Sequence, residues 1–141
     1  MADPQSGVGV FARSRAVFVA AALLATSVFW WSGSMKALDF TATLGEMAHF
    51  GLKPPALFAI GTIALQLGGS ALVVFGGRWA WIGAAALALF TLSTIPLAHD
   101  FWNMSGHEAF LEKIIAQEHL SVIGGLLAAA IAASNQGREA R

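Results

Sequence analysis

Residues 55–98 read PALFAIGTIALQLGGSALVVF, then GGR, then WAWIGAAALALFTLSTIPLA, and this stretch decides the fold. Arg78 is its one charged residue, and it sits in the Gly76-Gly77-Arg78 turn between two uncharged runs, 56–75 and 79–98. Each run has 20 residues. As a helix that is about 30 Å, the thickness of a bilayer's hydrocarbon core. A chain crossing that core must satisfy every backbone N–H and C=O internally, which a helix does. Pro54-Pro55 favours a helix start at the second run's entry, because proline fits the first helical turn. Pro96 predicts a kink near the end of the third.

Working outward, residues 16–31 form an earlier uncharged run, extendable through Ser32-Gly33-Ser34-Met35 to Lys36. A cleaved signal peptide is the rival reading. The length of the run, the Trp30-Trp31 pair suited to a membrane interface, and the three spans that follow favour a first span. Residues 108–117 look helical and lead into a fourth span over about 114–133. Residues 41–50 predict a short interfacial helix. The expected fold is all-α: an integral membrane four-helix bundle of antiparallel, up-down topology over residues 15–133, with tails at 1–14 and 134–141.

Composition agrees. The 141 residues are 57 % hydrophobic and 11 % charged, against about a quarter charged in soluble domains. Zero net charge gives no case for nucleic acid. The absence of Cys removes disulfides, thiolate metal sites and thiol redox chemistry, and the absence of Tyr removes a phenol acid. Small residues recur every four positions, as Ala80-Ala84-Ala88, Ser121-Gly125-Ala129-Ala133 and Ala64-Gly68, and such ridges let membrane helices approach closely.

Four spans place Arg13, Arg15, Arg78, Arg138 and Arg141 on one side and Lys36, Lys53 and Lys113 on the other. The positive-inside rule puts the arginine side, and both termini, in the cytoplasm. Six of the eight acidic residues and all four histidines then fall outside. Glu46, His49, His107 and Glu108 read as ordinary polar loop residues, whereas His99, Asp100, Glu118 and His119 lie at the ends of apolar spans. There an ionisable group normally faces the bundle or a water-filled cavity.

The candidate ligand-binding cluster is therefore Lys36, Gln66, His99, Asp100, Trp102, Glu118 and His119, with no catalytic residue assigned. Gln66, at mid-span, needs a polar partner in the interior. Lys36 either snorkels to headgroups or pairs with Asp100 or Glu118. Glu118 and His119 stand about 100° apart on a helix, so both point inward only at a bundle corner. No metal is expected: the spacing matches no ligand pattern, and the Glu-x-x-His pair of di-iron bundles is missing because Ile115 stands three residues after Glu112. A quinone head group fits more easily, needing a His or carboxylate for its carbonyl, aromatic walls and access from lipid.

Five short stretches, in order, carry a resemblance. Phe29-Trp30-Trp31-Ser32-Gly33-Ser34-Met35-Lys36, Gly51-Leu52-Lys53-Pro54-Pro55, Gln66-Leu67-Gly68-Gly69, His99-Asp100-Phe101-Trp102 and Gly124-Gly125-Leu126-Leu127 resemble motifs of the DoxX family of small membrane proteins. The resemblance implies a four-helix membrane protein. Some members are linked to quinone-reducing complexes, including the membrane part of a thiosulfate:quinone oxidoreductase. This chain has Gln66 where the pattern favours a carboxylate, and Glu118-His119 where a Lys-Asn pair is frequent. The expected role is an accessory subunit of a membrane redox assembly in the bacterial inner membrane. It would hold a quinone, bear no covalent cofactor, contact lipid and other membrane subunits, and catalyse nothing alone. The alternatives are a purely structural subunit filling a groove on a larger complex, and a small-molecule transporter module. Only Gln66 interrupts the inner apolar length, which argues against the transporter.

Overall fold

The computed structural model describes residues 14–139, with side chains to residue 135. Arg13 and Arg141, and the side chain of Arg138, lie outside what is described, so the arginine asymmetry rests there on sequence alone. Among the described residues six α-helices follow one another: α1 (Arg15–Ala25), α2 (Ser27–Leu38), α3 (Phe40–His49), α4 (Pro55–Phe75), α5 (Ala80–Ala98) and α6 (Gly106–Glu139). Single 3-10 turns, Gly77–Trp79 and Phe101–Asn103, flank α5, and no strand occurs among the described residues.

Among the described residues three segments are long and apolar enough to cross a membrane: Pro55–Phe75, Gly77–Asn103 and Gly106–Asn135. The first run is not the straight helix expected. It is broken at Thr26, and α1 and α2 meet at a 59° bend, making a fourth crossing if the pair counts as one span. The cause is local. Thr26, fully buried, donates its hydroxyl to the Ala22 carbonyl at 2.8 Å. Back-bonding of this kind bends helices. The break would strand carbonyls in an apolar medium, and Trp30 answers it: its indole Nε1–H donates to the Leu23 carbonyl at 3.0 Å. Trp30 thus bridges the break.

The exterior carries the large apolar side chains. Leu24, Leu57, Phe75, Leu89 and Ile131 are each at least 65 % exposed, while Thr26, Thr43, Gln66, Ser70 and Thr91 are buried. Soluble domains rarely show such a surface, and lipid accounts for it. The core joins Ala22 and Phe29 to Val73, Ala84, Leu87 and Leu126, drawn from α1, α2, α4, α5 and α6.

Close packing falls partly where expected. Ala80, Ala84 and Ala133 are buried, but Ala64 and Gly68 face outward. The tight crossing of α4 on α5 uses Gly69 and Gly83 instead. A Cβ on Gly83 would lie 2.5 Å from the Gly69 carbonyl oxygen, and one on Gly69 would lie 2.8 Å from Leu87. Pro55 stands at the first turn of α4, and Pro96 lies inside α5, which ends two residues later.

Helix α3 builds the wall that matters for the site. Asp39 caps it, its carboxylate accepting from the Ala42 N–H at 2.9 Å. Thr43 donates its hydroxyl back to the Lys36 and Asp39 carbonyls at 3.0 Å, tying α3 to the end of α2. Gly51, at φ +71°, turns the chain toward α4.

Candidate functional site

Helices α2 to α6 enclose a partly open cavity of about 410 Å³. That is the size of small-molecule sites, whose walls are mainly apolar with a few placed polar groups. Aromatic wall comes from Phe29, Phe50 and Phe90. Polar atoms sit at three levels, set by helix geometry.

At the mouth, the Lys36 ammonium of α2 bonds the Glu46 carboxylate of α3. Lys36 keeps 16 % of its side chain accessible and Glu46 keeps 40 %, so the pair is half-sheltered. The Thr43 tie explains the match: residue 46 lies one turn beyond 43 on the same face, and that face looks at α2. Lys36 pairs with neither Asp100 nor Glu118, contrary to expectation. Glu46, read as a plain loop residue, is its partner. Asp100 accepts instead from the Asn103 amide at 3.0 Å, and Glu118 is exposed on the outer face of α6. Trp102 is 54 % exposed with its ring edge against Phe101, the posture of an interfacial aromatic outside the cavity.

At the second level His99, just past α5, meets His119 of α6, with ring centroids 4.7 Å apart and planes at 65°. His99 Nδ1 bonds the Glu112 carboxylate at 2.6 Å. His119 Nδ1 bonds the Ile115 carbonyl at 2.8 Å. A carbonyl only accepts, so Nδ1 of His119 carries a hydrogen. Both histidines line the cavity. The 100° between Glu118 and His119 is resolved with His119 inward and Glu118 outward.

At the deepest level Gln66 lies 11 residues into α4, about 16 Å along the helix from its start. Its Nε2 donates to Ser32 Oγ of α2 at 3.3 Å, and Ser32 precedes Lys36 by one turn on the same face. Gln66 is 5 % exposed, and its Oε1 has no hydrogen-bond partner among the described residues. Thr91 and Thr94 of α5 line the same region, donating their hydroxyls to the Leu87 and Thr91 carbonyls at 2.8 Å.

Of the seven residues singled out from sequence, the cavity brings together Lys36, Gln66, His99 and His119 and leaves out Asp100, Trp102 and Glu118. Sequence reading missed Ser32 and Glu46, which line the cavity, and Glu112, which does not line it but holds His99. Spacing held a signal for two of them: Ser32 and Lys36 are four apart, and Glu112 shares a helix face with His119. Among the described residues no group of three or more His, Asp or Glu is placed to hold a metal ion.

Comparison with known proteins gives a concordant result. The chain is 28 % identical over 122 residues to inner membrane protein YphA of Escherichia coli strain K12, covering 86 % of each chain. No solved structure matches it significantly. The family model for DoxX matches residues 19–100, a stretch that holds the bent first pair, the α3 wall, Gln66 and His99. This integral membrane protein belongs to the DoxX family.

Proposed function

We propose that the chain is an accessory subunit of a membrane redox assembly in the inner membrane, and that its cavity holds a quinone head group. The observation carrying this is the cavity itself: aromatic walls, a volume of about 410 Å³, and hydrogen-bonding groups from the mouth down to the middle of α4. A substituted benzoquinone ring is small enough for this volume, and Phe29, Phe50, Phe90, the Lys36–Glu46 pair and the two histidines all line the cavity that would take it. A bound quinone supplies two-electron, two-proton chemistry. The chain has no Cys or Tyr and no metal-binding group among the described residues, so in this reading electrons enter from a partner.

The bent α1–α2 pair counts as one span in this proposal, which makes four antiparallel crossings with both termini in the cytoplasm. The cavity mouth then faces outward. The subunit role draws on the outer surface: Gly61, Ala64 and Gly68 of α4 face away from the bundle, and nothing lies within 4 Å of a Cβ placed on either glycine. A lipid-facing small ridge suits a neighbouring helix. It also suits the purely structural subunit, the second reading.

Ubiquinone-1 titrated into the purified protein in mild detergent separates the two. The first reading expects saturable binding that is lost in Thr62→Phe, which fills the cavity from α4. Binding that never saturates, or that Thr62→Phe leaves intact, refutes it.

A further inference from the structure

The bend at Thr26 leaves one seam of the helix ring slack. Before the bend, α1 packs against both α4 and α6. After it, α2 departs at 59° and packs along α4 and α3; among the described residues it shares no comparable packing with α5 or α6. α4 packs closely on α5, and α5 on α6. The loose seam is therefore the one between α2 and α6, and the cavity lies across it: Val28, Phe29 and Ser32 line it from α2, His119 and Val122 from α6.

The lining is graded along this seam. On α2 it runs Val28, Ser32, Lys36, one turn apart on one face, apolar first and then increasingly polar. On α6 Val122 and His119 repeat the order. Two large apolar residues of the lining are exposed, Leu97 at 44 % and Val28 at 52 %. Leu97 stands two residues before His99, at the polar level. Val28 stands two residues past the break and 13 past Arg15, about 20 Å of helix, which in the four-span reading lies inside the hydrocarbon layer. An alkyl chain placed against it there only exchanges one apolar neighbour for another.

We infer that the α2–α6 seam is a lateral portal to the bilayer, and that the ligand is a membrane-resident amphiphile whose hydrocarbon tail leaves between Val28 and Val122 while its polar ring lies among Lys36, His99 and His119. The inference rests on reading the cavity as a ring-binding site and adds the tail and the route of entry. An amphiphile in the leaflet on that side already lies with its head toward the surface and its tail toward the midplane, the order of the lining. It enters sideways without inverting.

The test narrows the portal in a folded protein. The chain has no Cys, so Val28→Cys supplies its one thiol, capped by a methylthio or a benzylthio group from the matching methanethiosulfonate. Two fully substituted probes share a head group: decylubiquinone, and 2,3-dimethoxy-5,6-dimethyl-1,4-benzoquinone, which has a methyl in place of the tail. Each is titrated by calorimetry into the full chain in mild detergent, with Thr62→Phe as the blank. Each probe is compared only with itself across the two caps, so partition into micelles cancels. The benzyl cap should weaken decylubiquinone about tenfold, the scale of overfilling a packed apolar site, and change the tailless probe by less than about twofold. The same caps on Leu57→Cys, 65 % exposed on α4 and outside the cavity, should change neither. Val122→Cys, on the opposite bank, repeats the test if Val28→Cys does not fold. Equal loss of both probes, no loss of either, or as large a loss from Leu57→Cys overturns the portal and leaves the ring site standing. If neither probe binds the unaltered chain above the blank, the cavity reading falls and the portal falls with it.

Discussion

The Lys36–Glu46 pair lends itself to a decisive perturbation, because the two charges come from different helices and no other ion pair ties α2 to α3 among the described residues. Lys36→Met, Glu46→Gln and the double variant form a thermodynamic cycle. Fully exposed pairs are worth about 0–1 kcal/mol, and breaking a buried one costs about 3–5 kcal/mol. With 16 % of the Lys36 side chain and 40 % of the Glu46 side chain accessible, this pair lies between those limits. A coupling of about 2 kcal/mol is the working value. Glu46→Gln should be the costlier single change, since it leaves an ammonium at the mouth of an apolar cavity. Lys36→Met leaves a carboxylate that can turn to water. Reversible unfolding in mixed detergent micelles measures all four corners. The contrast is Lys36→Met with Asp100→Asn, which should be additive within about 0.5 kcal/mol because Asp100 bonds Asn103 instead. Coupling below about 0.5 kcal/mol for Glu46, or as large a coupling for Asp100, would refute the placement of α3 against α2.

Three further outcomes follow from the geometry. Gly83→Ala should destabilise by about 1–3 kcal/mol, because its Cβ meets a backbone oxygen that cannot turn aside; Gly124→Ala, with nothing within 4 Å, should be neutral or gain up to about 1 kcal/mol, and equal effects in the same unfolding assay would contradict the α4–α5 crossing. Glu112→Ala should cost about 1–2 kcal/mol by releasing His99, and His99→Phe should add little to it in the double variant; a fully additive pair would show that the 2.6 Å contact is not formed. For the proposed topology, Cys introduced at Gly106 should react with an impermeant thiol reagent in intact cells and Cys at Gly137 should not; the reverse pattern inverts the orientation.

Within the site, legibility depended on whether a residue's direction follows from its own helix. Gln66 and His99 were readable because a polar group at mid-span or span end has few places to go. Glu46 was not, because a carboxylate in a connector normally meets water, and only the Thr43 tie back to α2 turns it toward Lys36. Asp100 and Glu118 sit at the expected depth but point elsewhere. Asp100 lies past the end of α5, where no helix period sets its direction, and in the apolar run of α6 the local pattern does not set the rotation about the axis, so one residue of rotation moves Glu118 by about 100°.

The sequence by itself determined that this is a membrane protein, where its three long spans run, that residues around 41–50 make a short helix, and which family it belongs to. Those properties are sums along the chain: about 20 apolar residues lower the transfer free energy whatever their neighbours are. Tertiary structure alone decided the crossing at Gly69 and Gly83 in place of Ala64 and Gly68, the partner of Lys36, and the unpaired oxygen of Gln66. Each of these depends on which atoms of a distant helix come within 3–4 Å. That is settled by how the helices rotate and press together, and a hydropathy pattern carries almost no record of it.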